Sequence, residues 1–313
     1  MRPILRKPTI TIVKMVELGT VKASNAQIPS NLVAVFVGGT SGIGLYTLLA
    51  LARHCATPKI YIIGRSQPAA TRILSDLRAL NPSGTYTFLQ SDVSLMANVD
   101  AACAHISSQE AAINMLVQSQ GTMSLGTETE EGMHATASLV LHSRMRFALN
   151  LLPLLRKAEG LRRVVSIFTG TKEGPIVSAD LHMRSLKNPL KARGQAASCV
   201  TLLMEEAARR APEVVFVHTY PGFVSTNIGR DFGRVARVLG IALEVVMGPW
   251  LYVPKEESGE RNLWIATSGR FCAAKEGKGD GSDAAVGTDG KVGSGVYVVD
   301  EKGRVVERRF WGS

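Results

Sequence analysis

Two hydrophobic rhythms alternate along this chain. Short runs dominated by aliphatic and β-branched residues recur at strand length: LVAVFVG (Leu32–Gly38), KIYIIG (Lys59–Gly64), TYTFLQ (Thr85–Gln90), INMLVQ (Ile113–Gln118), RRVVSIF (Arg162–Phe168), VVFVHTY (Val214–Tyr220) and VYVVD (Val296–Asp300). Between the first six lie longer stretches with apolar residues every three or four positions: GIGLYTLLALARH, PAATRILSDLRAL, LMANVDAACAHISS, a long segment over His134–Lys157 and another over Lys187–Arg210. Near-continuous apolar strands are buried on both faces, and amphipathic helices between them supply the cover. Right-handed crossovers then predict an α/β fold, a Rossmann-like doubly wound parallel sheet.

Beyond Gly222 the rhythm loosens. Residues 223–254 read as an apolar insertion near the C-terminal end, a lid over the open end of the sheet that implies a small hydrophobic substrate. A dimer contact or a peripheral membrane patch would leave the same pattern. Its most membrane-like part, Val235–Pro254, carries Arg237 and Glu244 and a Gly-Pro break, so no transmembrane segment is expected. Residues 273–295 form a solvated Gly/Asp-rich loop without the ordered acidic spacing or terminal glutamate of a calcium loop. Residues 1–30 read as a flexible N-terminal arm. Their basic start, MRPILRKPTITIVKM, has no acid before Glu17, and a translation start at Met15 would remove most of it. Residues 31–313 make one domain.

Composition changes this picture little. The 313 residues are 45% hydrophobic and 20% charged, enough for a sizeable core. The net charge of +10 comes from scattered basic residues without interleaved aromatics, which argues against nucleic acid and suits an anionic cofactor or substrate equally well. The four cysteines form no CxxC pair and the six histidines show no ligand spacing, so no metal is expected and a reducing, cytoplasmic setting fits.

The chemistry begins at VGGTSGIG, Val37–Gly44, between the first strand and first helix of this pattern. Gly38, Gly42 and Gly44 free the backbone to turn and admit a diphosphate, with Thr40, Ser41 and Ile43 beside them and a helix N-terminus facing the anion. The run resembles the TGxxxGxG signature of the short-chain dehydrogenase/reductase family, with Val37 in place of threonine. The resemblance covers about residues 31–230 and implies a nicotinamide dinucleotide. Arg65 and Ser66 follow the second strand, where an arginine pairs with the 2′-phosphate of NADP(H). Asp92 and Val93 match the family's adenine-contacting pair. Gln118, Ser119, Gln120 and Gly121 stand in its ribose-side loop, with only the glycine of the usual Asn-Asn-Ala-Gly retained. Pro221, Gly222, Val224 and Thr226 match its PGxVxT loop beside the nicotinamide. The long helix also resembles a fungal branch of the family whose members are often encoded near secondary-metabolism genes. Family oligomers use the two long helices, so a homodimer or homotetramer is implied.

The resemblance then departs from its pattern. The family uses a serine, a tyrosine, a lysine four residues later and an asparagine in the preceding long helix. The serine position falls at Thr169. The tyrosine and lysine fall at Asn188 and Ala192, or with a one-residue slip at Pro189 and Arg193, and the asparagine falls at Val140. No tyrosine occurs between Tyr86 and Tyr220. Candidate replacements are Thr169, to polarise a carbonyl, Lys172, to give a proton, and Arg193, to orient an anionic oxygen. A turn with Lys172 and Glu173 facing solvent fits the same residues, and Arg144 and Arg146 read as helix-surface or packing residues. Three functions follow: an NADP(H)-dependent oxidoreductase acting on a carbonyl or activated double bond; a non-redox cyclase or isomerase on the same scaffold; or a non-catalytic NADP-binding protein.

Overall fold

The computed structural model describes residues 15–122, 126–186, 188–224, 252–276 and 284–306. Seven strands form one all-parallel sheet: β1 (Val33–Val37), β2 (Lys59–Gly64), β3 (Thr85–Gln90), β4 (Met115–Gln118), β5 (Arg163–Ile167), β6 (Val215–Thr219) and β9 (Val296–Val299), in the order β3-β2-β1-β4-β5-β6-β9. A two-stranded parallel ladder, β7 (Phe223–Val224) with β8 (Tyr252–Val253), sits apart from it. Register is continuous from edge to edge, for example Val35 opposite Tyr61 on one side and Leu116 on the other. The sheet is the doubly wound arrangement expected from the alternating rhythms.

Strand periodicity sorts the core into two layers. On β1, Val35 and Val37 point into one cluster and Ala34 and Phe36 into the other. The first cluster is closed by α4 (Met96–Gln109), α6 (Ser143–Lys157) and α7 (Pro189–Arg210). The second is closed by α2 (Gly42–His54), α3 (Gln67–Leu80) and α8 (Lys255–Thr267). α3 begins at Ser66, whose hydroxyl accepts from the Ala69 N–H, with Pro68 in the first turn. It stops at Asn81, whose amide donates to the carbonyls of Ala52 and Cys55 at the end of α2. Each fully buried Val, Leu or Phe in these layers is worth about 1.5–3 kcal/mol.

Three expectations need correction. Residues 15–30 are not an arm: Leu18–Asn25 forms helix α1, which buries Val21 and Asn25 against α8. The carboxylate of Glu260, 1% exposed, accepts from Asn25, Arg53 and His54 and so ties α1, α2 and α8 together. The Gly/Asp-rich loop is solvated only in part, since Ala273 and Ala285 are buried and residues 285–293 fold back through a Val286–Val292 bridge. The long helix is interrupted: after a single turn, α5 (Ala135–Ala137), a π-helical segment spans Ser138–His142 before α6. The predicted lid lies almost wholly outside the described residues, as does Thr226. Helix α8 has no counterpart in the pattern analysis. Its C-terminal carbonyls of Ile265 and Ser268, with that of Phe271, are satisfied by the buried Arg163 guanidinium at the start of β5.

Candidate active site

The strand order reverses between β1 and β4, and the crevice at the carboxyl ends of these strands is where such a sheet binds a ligand. Gly38 has φ +86° and Gly42 φ +60°, the left-handed region that favours glycine. A Cβ on Gly38 would stand 2.8 Å from the Gln120 backbone nitrogen, and one on Gly44 would overlap the Ser119 hydroxyl. Ser119 Oγ in turn donates to the Gly38 carbonyl, 3.2 Å away. Gly38 and Gly44 therefore admit the neighbouring β4 loop, while Gly38 and Gly42 turn the chain. Helix α2 opens at Ser41 with no side-chain cap and no acidic residue in its first turn. Its leading N–H groups and positive dipole end suit a diphosphate.

Arg65 leaves the end of β2 with its guanidinium exposed and only a 4.0 Å approach to Asp92. Both border an open groove of about 550 Å³ between β3 and α4, lined also by Gln90, Asn98 and His105. Val93 is buried in the core beneath this end. The ribose-side loop divides. Gln118 is buried and donates to the Arg144 carbonyl, Ser119 clamps the phosphate turn and Gln120 is buried, whereas Gly121 has open space around it. Pro221, Gly222 and Val224 leave the end of β6, with Gly222 at φ +77° making the turn.

Sequence reasoning placed Arg144 at the surface or in packing. It is 1% exposed and lies under the crevice. Its Nη1 donates to the Gln118 carbonyl (2.7 Å) and the Ser166 hydroxyl (2.6 Å); its Nη2 donates to the Gln120 (2.6 Å) and Ile167 (3.2 Å) carbonyls. Burial lowers its pKa to about 9, which still leaves a cation at neutral pH. The guanidinium straps the ends of β4 and β5 and carries a positive charge into the floor of the site. Arg146, two residues further along the helix, pairs with Asp100 at the surface.

Thr169 and Lys172 lie on the loop leaving β5, and Arg193 lies on the first turns of α7, against which this loop packs through Gly174 and Gly194. Thr169 is 7% exposed, and its hydroxyl has no partner among the described residues. Its N–H donates to Nε2 of His218, 3.3 Å away. Thr201 bridges His218 Nδ1 (2.8 Å) and Glu173 Oε1 (2.9 Å). A hydroxyl that gives its proton to the carboxylate can only accept from the ring, so Nδ1 bears the imidazole proton and Nε2 accepts. Glu173 is therefore turned inward, 8% exposed, and not paired with Lys172 towards solvent. Lys172 remains exposed, its Nζ 4.9 Å from the centre of the Tyr220 ring. Thr171 between them has φ +73°, strained for a β-branched residue, and Gly174 packs against Gly194 of α7. Arg193 is exposed on the first turns of α7 and close enough to act electrostatically on Tyr220. Asn188 caps α7, accepting from the Leu190 and Lys191 N–H groups, while Ala192 and Val140 are buried. His218, Thr201 and Tyr220 were missed as site residues because their proximity is created by the pairing of β6 with β5 and by α7.

Residues 32–179 match the family model described as short chain dehydrogenase. The chain is 42% identical over 303 residues to oxidoreductase AN1596 of Emericella nidulans, covering 93% of this chain and 90% of that one. It is 30% identical to short-chain dehydrogenase/reductase SAT2 of Stachybotrys chartarum, covering 92% and 88%. The chain belongs to the short-chain dehydrogenase/reductase family. Among solved structures, YwfH, described as an NADPH dependent reductase involved in bacilysin biosynthesis, superposes with a TM-score of 0.60 at 18% identity, covering 76% of this chain and 92% of that one. This short-chain dehydrogenase/reductase is thus an oxidoreductase by family, built on the family's sheet. No helix among its described residues is long and apolar enough to cross a membrane.

Proposed function

We propose that this short-chain dehydrogenase/reductase uses NADP(H) to reduce a carbonyl or activated double bond of a small hydrophobic metabolite in secondary metabolism. The observation that carries the cofactor choice is Arg65, an exposed guanidinium at the carboxyl end of β2, beside a phosphate turn that ends on an uncapped helix. The α2 N-terminus with Gly38, Thr40, Ser41, Gly42, Ile43 and Gly44 would hold the diphosphate, and Arg65 with Ser66 the 2′-phosphate. Asp92 would face adenine, with Val93 buried beneath it, Gly121 the ribose, and Pro221, Gly222 and Val224 the nicotinamide. When bound, the dinucleotide supplies a hydride from C4. YwfH, with its NADPH dependence, is consistent with this choice.

The family's four catalytic positions are replaced in this reading. The unpartnered Thr169 hydroxyl donates a hydrogen bond to the substrate oxygen, and Arg193 steadies negative charge as it develops there. The His218–Thr201–Glu173 chain holds the Thr169 loop in place. Leu149, Leu202 and Leu203, exposed on α6 and α7, support assembly as a homodimer or homotetramer in the cytoplasm.

Calorimetry with NADPH, NADH and their oxidised forms tests the cofactor. NADPH should bind at least tenfold tighter than NADH, and Arg65→Asp should abolish that preference, since charge-assisted hydrogen bonds of about 1.5–3 kcal/mol correspond to roughly 10–150-fold. Consumption of NADPH across a panel of apolar ketones and enones, followed at 340 nm, tests the reaction. Absence of heat with all four nucleotides would sink the proposal. Tight NADPH binding without consumption would favour a cyclase, an isomerase or a non-catalytic role.

A further inference from the structure

No tyrosine occurs between Tyr86 and Tyr220, the stretch that would carry the family's catalytic tyrosine. We propose that Tyr220, at the end of β6, is the catalytic proton donor of this reductase, with Lys172 and Arg193 as the cations that stabilise its phenolate. This rests on the reductase reading above and supplies the acid which that reading leaves open.

Three features of the site converge on Tyr220. The strand register opposes Ile167 to Thr219, and the Phe168 N–H donates to the Thr219 carbonyl, so Tyr220 stands beside the Phe168–Thr169 segment. Alternation along β6 sends Phe216 and His218 to the α7 side of the sheet, and Tyr220 follows the same phase. There the Lys172 ammonium lies 4.9 Å from its ring centre, and Arg193 acts on it from the first turns of α7. The residue is half-buried and immediately precedes Pro221-Gly222.

The competing groups are weaker donors. An aliphatic hydroxyl such as Thr169 polarises an oxygen through a hydrogen bond but does not ionise near neutral pH. Lys172 is exposed, and its ammonium lies over the Tyr220 ring. A phenol, ordinarily near 10, is the group that adjacent cations can tune. Burial and the Glu301 carboxylate push the Tyr220 phenol up while Arg193 pulls it down, which keeps it protonated before reaction. In the reductive direction the substrate carbon gains the hydride as its C–O π bond breaks. The phenol O–H breaks and its proton forms the new O–H bond of the alcohol. The phenolate left behind, with Lys172 over its ring and Arg193 acting on it electrostatically, takes a proton from solvent, so one hydride and one proton are consumed per turnover.

The test uses the full-length protein, NADP⁺ and NADPH, and 9,10-phenanthrenequinone as the carbonyl probe. Tyrosinate absorbance at 295 nm is titrated with pH in the presence and absence of NADP⁺, for wild type, Tyr220→Phe and Lys172→Met. The cationic nicotinamide ring of NADP⁺ should move one tyrosine of the six to lower pH. The shift should be absent in Tyr220→Phe and displaced upward in Lys172→Met. NADPH fluorescence should give the same affinity in wild type and Tyr220→Phe, while kcat for the quinone falls about 10²–10⁴-fold. A tyrosinate titration indifferent to NADP⁺, or quinone turnover in Tyr220→Phe equal to wild type, overturns the assignment while leaving cofactor binding intact. Should wild type leave the quinone untouched, the spectral titration decides alone. Loss of nucleotide binding in wild type would instead refute the reductase reading, and this assignment with it. If Tyr220→Phe fails to fold, global 3-fluorotyrosine substitution should move the NADP⁺-linked titration to lower pH, and an unmoved titration would count against Tyr220.

Discussion

Replacing Arg144 by methionine tests whether the buried guanidinium holds the crevice together. The side chain makes four hydrogen bonds from a fully buried position, three of them to backbone carbonyls of two strands and the loops that leave them. Hydrogen bonds involving a charged group are worth about 1.5–3 kcal/mol each, a gross loss of roughly 6–12 kcal/mol. Against this, methionine removes the cost of burying a cation, several kcal/mol, and keeps the apolar contact with Phe168, over whose ring the guanidinium lies. The net loss is about 2–4 kcal/mol, because the carbonyls of Gln118, Gln120 and Ile167 remain in a dry interior without donors. For a chain of this size that lowers Tm by about 4–10 °C. Arg144→Lys should not rescue it, since a single ammonium cannot replace a planar fork reaching both strands. Thermal melts of wild type, Arg144→Met and Arg144→Lys, with NADPH titrations alongside, provide the check. An Arg144→Met protein within 1 kcal/mol of wild type, or full recovery in Arg144→Lys, would refute the strap.

Two further expectations concern the phosphate turn and a histidine pair. Gly44→Ala should destabilise by about 1–3 kcal/mol because the added methyl overlaps the Ser119 hydroxyl and comes within 2.8 Å of the Gly38 carbonyl, and Ser119→Gly in the same chain should recover the part due to the hydroxyl but not the part due to the carbonyl; denaturant melts of the four proteins of that cycle would show additivity if the Ser119 contact is irrelevant. His142, in the π segment, stacks on His182 in the loop after β5 with their ring nitrogens 3.1 Å apart, and burial followed by the His182 charge lowers the His142 pKa. A depressed histidine leaves its stabilising contribution intact above the unfolded value of about 6.5, and that contribution is lost as pH falls towards the folded value. Melts at pH 8 and pH 5.5 should therefore differ more in wild type than in His142→Phe, and equal differences would show that the pair does not couple the loop to protonation.

How far the sequence discloses this molecule depends on whether the physics is local. Strands such as KIYIIG declare themselves because parallel strands in a covered sheet are apolar on both faces, and Lys59–Gly64 and Thr85–Gln90 end where the pattern ends. Helix α1 was hidden because LGTVKASN has a weak apolar stripe and is held from outside, through Asn25 and the buried Glu260. Helix α8 was hidden for a related reason: Ser258, Glu260, Arg261 and Asn262 are polar yet buried, so periodicity assigns them to solvent. Arg144 defeats the same rule in an otherwise ordinary amphipathic helix.

The candidate site follows the same division. The glycine turn and Arg65 were legible because each follows the end of a strand within one βαβ unit, where local pattern alone locates them. The pair proposed for proton transfer was not, because Tyr220 and Lys172 are 48 positions apart and meet only when β6 pairs with β5. Counting residues along α7 searches for the acid on one helix, whereas the sheet offers a second approach to the same space from the strand beside it. A phenol entering from β6 would retain the chemical requirement, a tunable acid near a cation, while abandoning the fixed four-residue spacing that makes the family motif recognisable. That spacing is a property of α-helix geometry and not of the reaction, so its absence at Asn188 and Ala192 bears on where the acid comes from before it bears on whether there is one.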